Sequence, residues 1–286
     1  MDDRMGRAAR AVGFVLGLGL IGGVQAADHS APLTEAAWAA IVDHAQPLAN
    51  RQQALAQVEA NAGELGGMDL YILGSIYHSG SHSGGLIADP DLARAALYLG
   101  NAATRGSVPA MAKMAQVAFE QRNYREAMNW AQIYAHYVID SGGHVQSERD
   151  FAAELIKRIQ LRLGDDDLEK ILPDVQTYIT AHDTQIQEGS IRDALFRSQQ
   201  PKFDGARLEM PANSLSPQAA IADFILVFKP DGSVADVLPI DIAPDEQGMI
   251  AMSRALTAAR TSATTTQGPR YALMNTVLLG RRYRAK

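Results

Sequence analysis

Few residues in this chain have a type and spacing that could carry chemistry. His78 and His82 flank a short polar loop, and with Asp89 or Asp91 they offer the nitrogen and oxygen donors of a metal site. The alternative is a polar loop between two helices, in which the Asp91 side chain caps the second helix. We favour the loop, because capping already accounts for Asp91, and we expect neither a metal nor a cofactor.

A second acidic group is formed by Asp165, Asp166, Asp167 and Glu169, and it could bind a divalent cation. Acidic residues at a helix start also complement the helix dipole, so we interpret this group as a helix N-terminus. The chain has no cysteine, which excludes a thiolate nucleophile, a disulfide framework and cysteine-ligated metals. It also has no Gly-x-Ser-x-Gly motif and no carboxylate pair in a pattern known for hydrolysis. We therefore expect no catalytic residues and no enzyme activity.

The composition is that of a folded protein. The chain has 286 residues, of which 47% are hydrophobic and 20% are charged, so one large or two medium domains are expected. The net charge is −6, and the acidic excess lies before Phe203. An acidic surface repels phosphate backbones, so we do not expect the protein to bind nucleic acid.

The N-terminal residues have the pattern of a signal peptide. Three arginines precede an uncharged stretch from Ala11 to Val24, which ends in the small-x-small pattern Val24-Gln25-Ala26. The stretch contains five glycines and is shorter than the roughly 20 apolar residues that span a bilayer. We expect residues 1–26 to be removed, and the remaining chain to be periplasmic or secreted without stable membrane insertion.

A helical pattern repeats in the first half of the remaining chain. Residues 91–110 place apolar side chains on one helix face, with Asp91 as the N-cap and Gly106 just past the end. Residues 123–135 repeat the pattern at an offset of 32, so that Asp91 corresponds to Asn123, Ala95 to Ala127, Tyr98 to Trp130 and Ala103 to Ala135. An offset near the tetratricopeptide period of about 34 predicts stacked helical hairpins. We assign residues 27–189 to an α-helical repeat domain.

The first repeat unit resembles a Sel-one-like repeat, a relative of the tetratricopeptide repeat. The positions that carry the resemblance are Leu73, Gly74, Tyr77, Gly80, Asp91, Ala95, Tyr98, Ala102, Ala103, Gly106 and Ala110. The resemblance implies an α-solenoid whose groove binds other proteins and whose repeats carry no catalytic residues. The positions Leu73, Gly74, Tyr77, Gly80, Ala95, Tyr98, Ala102, Ala103 and Gly106 of this unit, together with Ala127 and Trp130 of the next, are then residues that pack the helices.

The last part of the chain has the pattern strand, strand, helix, strand. Glycine and proline residues, which interrupt helices and strands, indicate a linker at 190–218. Ala220–Phe228 is apolar except for Asp223, a Lys-Pro-Asp-Gly turn follows, and the apolar alternation of the next segment completes a hairpin. A helix from Asp245 and a strand over Arg270–Leu279 then predict a small α+β domain at 219–286.

This domain resembles the C-terminal domain of TonB-like energy transducers over about residues 205–286. The resemblance rests on the element order and on the strand-Pro-Asp-Gly-strand hairpin, and it implies recognition of a partner by β-strand pairing. We expect the last strand to lie at a sheet edge, and after Arg270 it lacks the charged side chains that usually prevent an edge strand from pairing with another chain. The partner-binding residues would then be Leu273, Asn275, Val277, Leu279, Arg281 and Arg282. The alternative is that residues 205–217 fold back over this edge.

Together these patterns predict a noncatalytic protein-interaction adaptor of the bacterial cell envelope, which binds protein partners through a helical-repeat groove and a sheet edge. One alternative is a cell-envelope hydrolase whose repeats recruit the substrate. A second alternative is a structural component of the envelope.

Overall fold

A computed structural model describes residues 33–82, 85–140, 146–204, 219–244, 247–265 and 267–278. Several predicted features lie outside these ranges. They are the expected signal peptide, residues 205–218 of the predicted linker, and Leu279, Arg281 and Arg282. The protein is mostly helical, with a small three-stranded antiparallel sheet near the C-terminus, as the sequence predicted. In the described residues, no helix combines the length and the apolar character that a bilayer span requires.

Helices α1 to α8 precede the sheet. Their bounds are α1 (Glu35–Val42), α2 (Leu48–Ala60), α3 (Gly67–Ser79), α4 (Leu92–Thr104), α5 (Val108–Glu120), α6 (Tyr124–Asp140), α7 (Gln146–Gln160) and α8 (Asp165–Gln199). Consecutive helices from α3 to α7 pack against one another, while α8 packs back on α4 and α6. This arrangement is compatible with an α-solenoid.

Local signals set several helix ends. The Asp91 carboxylate accepts a hydrogen bond from the Arg94 backbone N–H at 3.0 Å, which confirms Asp91 as the N-cap of α4. Asn123 has the same role for α6, where its side chain accepts from the Glu126 backbone at 3.4 Å. Pro109 stands in the first turn of α5, where the N–H that proline lacks would have no helical partner.

Helix α8 contains a proline. Proline inside a helix removes a backbone hydrogen bond, yet a single helix runs from Asp165 through Pro173 to Gln199. The buried side chains of Ile171 and Val175 hold both sides of the proline against the core, and tertiary packing of this kind offsets the lost backbone hydrogen bond. The predicted boundary at 189 therefore falls inside α8, ten residues before its end.

The C-terminal strands and helix are β1 (Phe203–Asp204), β2 (Ala220–Phe228), β3 (Val234–Ala243), α9 (Gln247–Leu256), β4 (Arg260–Thr261) and β5 (Arg270–Leu278). The main sheet has the order β3-β2-β5, and both neighbours of β2 are antiparallel to it. The two-residue strands β1 and β4 pair separately.

Both faces of the sheet are covered. Ile221, Ile225 and Ile240 belong to a large core shared with the helices, whereas Phe224 and Phe228 belong to a smaller core under α9. Burial on both faces explains why β2 is apolar almost throughout. The sequence had indicated only the helix that became α9, and it had not indicated that the helical region covers the other face.

Two glycines let α8 approach the turn between α4 and α5. Gly106 has φ of 95°, a region that glycine adopts freely, and it lies against Gly189 and Ser190. The Ser190 hydroxyl donates to the Gly106 carbonyl at 3.0 Å. A Cβ atom at Gly189 would overlap the backbone carbonyl of Arg105. This crossing therefore requires glycine inside α8.

We predict that Gly189→Ala destabilises the protein by about 1–3 kcal/mol, because the added methyl group overpacks a rigid backbone contact. Helix propensity alone predicts the opposite sign, since alanine is favoured over glycine in a helix by about 1 kcal/mol. Urea unfolding monitored by circular dichroism measures the difference. The matched control is Gly63→Ala, where the new Cβ meets no atom within 4 Å. A Gly189→Ala protein as stable as the wild type would contradict the crossing.

Candidate functional site

The residues predicted to pack the repeats lie in the helical core. Gly74 of α3 faces α4, and a Cβ there would lie 2.7 Å from the Leu99 side chain. The other apolar members are buried or half-buried, namely Leu73, Tyr77, Ala95, Tyr98, Ala102, Ala103, Ala127 and Trp130. Gly80 ends α3 with φ of 59° beside Pro90.

The two corresponding aromatic residues have different neighbours. Tyr98 lies beside Tyr77 of the preceding helix, with ring centroids 5.7 Å apart, and its hydroxyl donates to Glu59 at 2.9 Å. Trp130 packs edge-on against Tyr178 of α8, with centroids 5.0 Å apart. The first aromatic therefore joins helices close in sequence, and the second joins α6 to α8.

A buried ion cluster joins the helices to the sheet. We use this name for Lys113 of α5, Asp223 of β2, Asp241 of β3 and His78 of α3. Lys113 is fully buried, and the two aspartates are each 1% exposed. Helix and strand periodicity point these side chains inward from four different elements. No pattern in the sequence indicated the cluster, although Asp223 is the one charge in an otherwise apolar strand.

Lys113 is the centre of the cluster. Its ammonium group contacts Asp223, lies 2.5 Å from Asp241 and donates to the Ser75 hydroxyl at 2.8 Å. The Tyr71 hydroxyl donates to Asp223 at 2.8 Å, and the Asn275 amide of β5 donates to the same carboxylate at 2.7 Å. All three strands of the main sheet are thereby connected to the helices by charged or polar contacts.

His78 extends the network along α5. Its Nδ1 lies 2.9 Å from Asp241, and its Nε2 lies 3.3 Å from Glu120. Glu120 also accepts from the Gln116 amide at 2.6 Å. His78 was considered above as a metal ligand of a loop, but its two ring nitrogens face these carboxylates. Within the described ranges, no group of three or more potential ligands is arranged to hold a metal ion.

The cluster shifts the pKa values of its members. Burial alone would lower the pKa of His78, but the charge and hydrogen bond of Asp241, aided by Glu120, raise it to about 10. Burial would raise the pKa of Asp241, but His78 and Lys113 lower it to about 2. Burial also opposes the charge of Lys113, yet Asp223 and Asp241 raise its pKa. The folded protein therefore keeps these charges at neutral pH.

The burial of the cluster determines what it can do. A catalytic group must touch a substrate, and the ammonium and carboxylate groups here are enclosed between α3, α5 and the sheet. Removing charges from water costs several kcal/mol for each ion unless they pair well, so this arrangement requires one relative position of helices and sheet. We assign the cluster the role of setting that position.

An open apolar groove lies between α6, α7 and α8. Its volume is about 500 Å³. The lining includes no lysine, arginine, aspartate or glutamate. It consists of Met128, Gln132, Ala135, His136, Ile139, Ile156, Gln160, Ile171, Leu172, Val175, Gln176 and Ile179. Ile139 and Leu172 are 62% and 74% exposed. The groove can therefore take up an apolar ligand surface.

The last strand lies at a sheet edge. In the described residues, β5 pairs with β2 alone. Leu273 and Val277 pack against the large core, and Asn275 contacts Tyr71 and Asp223. These side chains were expected to contact a partner, but they face the helices because that side of the sheet is covered. Partner binding by the strand edge stays a prediction, and Leu279, Arg281 and Arg282 lie outside the described residues.

Comparison with protein-family models, with curated proteins and with solved structures found no match for this chain. The interpretation of the site therefore rests on the contacts described above.

We predict that Lys113→Met destabilises the protein by about 3–5 kcal/mol at pH 7, because it leaves the buried Asp223 carboxylate without a cation and Asp241 with His78 as its one remaining cation in the cluster. Urea unfolding at pH 7 measures the loss. Lys229→Met is the matched control, since Lys229 is exposed in the hairpin turn, and we expect a change within about 0.5 kcal/mol there. A similar small change for Lys113→Met would show that the cluster does not position the sheet.

The raised pKa of His78 predicts a loss of stability in alkali. A group whose pKa rises on folding stabilises the folded state fully below its unfolded pKa of 6.5, and this contribution is lost as the pH rises to about 10. The carboxylates and Lys113 that face His78 keep their charges across this window.

Urea unfolding between pH 6.5 and 10 should therefore show a declining stability in the wild type and a flatter profile in His78→Gln. His44→Gln, which changes an exposed histidine, should keep the wild-type slope. Parallel profiles for wild type and His78→Gln would contradict the protonated histidine.

Proposed function

We propose that this protein is a noncatalytic interaction adaptor of the bacterial cell envelope, and that the groove between α6, α7 and α8 binds a helical segment of a partner protein. The observation that carries the proposal is the groove itself, an open apolar concavity among the helices. The resemblance of the first repeat unit to Sel-one-like repeats is consistent with this role.

The exposed apolar side chains support a docking surface. Ile139 of α6 and Leu172 of α8 are mostly exposed at the groove, while Ile171 and Val175 are buried at its base. Scattered exposed apolar residues are normal on a protein surface, but a contiguous apolar concavity is typical of interaction sites. Leu172 and Ile139 are therefore the expected anchor contacts for a bound segment.

The chemistry around the groove indicates an amphipathic helix with basic flanks as the occupant. An apolar helix face fits such a groove with anchors one turn apart. Gln132, Gln160 and Gln176 supply neutral hydrogen-bonding groups at the lining. Acidic residues outnumber basic ones between Tyr124 and Gln199, so lysine or arginine residues on the polar face of the partner helix would be attracted.

The sheet contributes a second surface to the proposal. The outer edge of β5 offers backbone groups other than the Leu273 N–H, which already donates to Gln200, and the TonB-C-like resemblance implies strand pairing there. The side chains of Leu273 and Val277 are already packed. The location outside the cytoplasm rests on the N-terminal sequence.

The groove can be tested with a fluorescein-labelled peptide designed as a leucine and lysine amphipathic helix. We predict that Leu172→Glu weakens its binding at least about tenfold, because burying one leucine contributes about 1.5–3 kcal/mol. Fluorescence polarisation measures the dissociation constants. Ile139→Glu should have an effect of the same direction.

The matched control is Leu161→Glu, which places the same charge at a residue that is 78% exposed and outside the groove lining. A scrambled peptide of the same composition tests whether positive charge alone causes binding. Equal losses for Leu172→Glu and Leu161→Glu, or equal binding of the scrambled peptide, would contradict the groove as a helix site.

A further inference from the structure

A second cavity lies where the helices meet the sheet, and it has a different character from the groove. We call it the junction cavity. It is bounded by Met68 of α3, Arg197 near the end of α8, Gln200, Lys202, and Leu273 and Met274 of β5. Its volume is about 560 Å³, which is within the usual range of small-molecule sites.

The charged groups of this cavity have one sign. Arg197 and Lys202 line it, and no acidic side chain does. Among the described residues, neither cation is in direct ion-pair contact with a carboxylate, although the charge of Arg197 acts to lower the pKa of Asp193, one turn earlier in α8. The protein as a whole carries a net charge of −6, so two cations facing one concavity stand out from their surroundings. A cavity with this lining favours an anion.

Gln200 adds an uncharged donor. Its Oε1 accepts a hydrogen bond from the Leu273 backbone N–H at 3.1 Å, which fixes the orientation of the amide. Its Nε2 is shielded from solvent and has no acceptor among the described residues. A buried donor without an acceptor is costly and uncommon in folded proteins. A ligand oxygen could accept from this amide only after the Gln200 side chain turns toward the cavity, because Nε2 is shielded in the present conformation.

The remaining walls are apolar. Met68, Leu273 and Met274 line the cavity, and methionine side chains adapt to ligands of different shape. Inorganic anions gain little from such walls, whereas a carboxylate attached to an apolar group would use both parts. The planar guanidinium of Arg197 also matches the geometry of a carboxylate.

We propose that the junction cavity binds an apolar monocarboxylate, with the carboxylate at Arg197 and Lys202 and the apolar body against Met68, Leu273 and Met274. This chemistry has two sources, a medium-chain fatty acid and the apolar C-terminal residue of a short peptide. The site is separate from the α6–α8 groove, so each proposal can fail without the other.

The experiment uses the protein labelled with ¹³C at the methionine methyl groups. Octanoate and N-acetyl-leucyl-phenylalanine are titrated in separate NMR experiments, and the neutral comparators are octanol and the corresponding peptide amide. We expect the Met68 and Met274 methyl signals, assigned by Met→Leu substitution, to shift with at least one carboxylate. The signal of Met111, which is fully buried in α5, should stay in place.

Substitutions distinguish specific recognition of the carboxylate in the cavity from a general effect of the protein's charge on binding. Arg197→Gln and Lys202→Gln should each weaken carboxylate binding about tenfold or more, since a hydrogen bond to a charged group is lost. The matched controls are Arg192→Gln, on the exposed surface of the same helix, and Lys229→Gln, and we expect them to stay within about twofold of the wild type. Circular dichroism checks that each variant is folded.

Each result has a defined meaning. Binding of one carboxylate and not the other supports the proposal and identifies the source. The proposal is overturned if neither carboxylate shifts Met68 and Met274, or if the neutral comparators bind equally well. It is also overturned if inorganic phosphate produces the same shifts, or if the control variants lose as much affinity as Arg197→Gln.

Discussion

Lys113 holds a positive charge in a fully buried site, and the carboxylates of Asp223 and Asp241 on two neighbouring strands neutralise it. Such a cluster need not be more stable than an apolar core, because desolvating the ions cancels much of their attraction. It does exclude other arrangements, since any shift of the sheet on the helices would leave a buried charge without a partner. The rest of the structure is organised around this one relative position.

The cluster explains how a small sheet is held on a helical body. Two strands supply its carboxylates and two helices supply its cations, while Asn275 connects the third strand through Asp223. Beneath it, the large hydrophobic core continues from the helices into one face of the sheet. A three-stranded sheet has little core of its own, so the helices contribute the surface that the sheet needs. The two parts therefore act as one packed unit.

Helix α8 contributes to three further features, namely the glycine crossing, the apolar groove and the junction cavity. It crosses the turn between α4 and α5 at Gly189, supplies Leu172 and Val175 to the apolar groove, and ends beside the junction cavity at Arg197. It is 35 residues long and continuous. Helix α8 thus contributes to both the groove and the cavity, but the two differ in chemistry. The groove lining has no lysine, arginine or carboxylate side chain, whereas the cavity contains two cations.

Local patterns in the sequence were sufficient for the local structure. The spacing of apolar residues and the caps Asp91 and Asn123 predicted α4 and α6, and the turn residues between β2 and β3 predicted their hairpin. These features depend on residues close together in the chain, whose backbone preferences and hydrogen bonds are largely independent of the rest.

The sites were decided by the tertiary structure. Lys113 and Asp223 are 110 positions apart in the chain, and only packing brings them together. Each was a visible anomaly, a charge within an apolar helix or strand, yet one charge does not identify its partner. The continuation of α8 through Pro173 and the helices that cover Leu273 and Val277 depend on the same long-range packing. The sequence by itself determined the elements, and the burial of charge and apolar surface between them determined how they fit together.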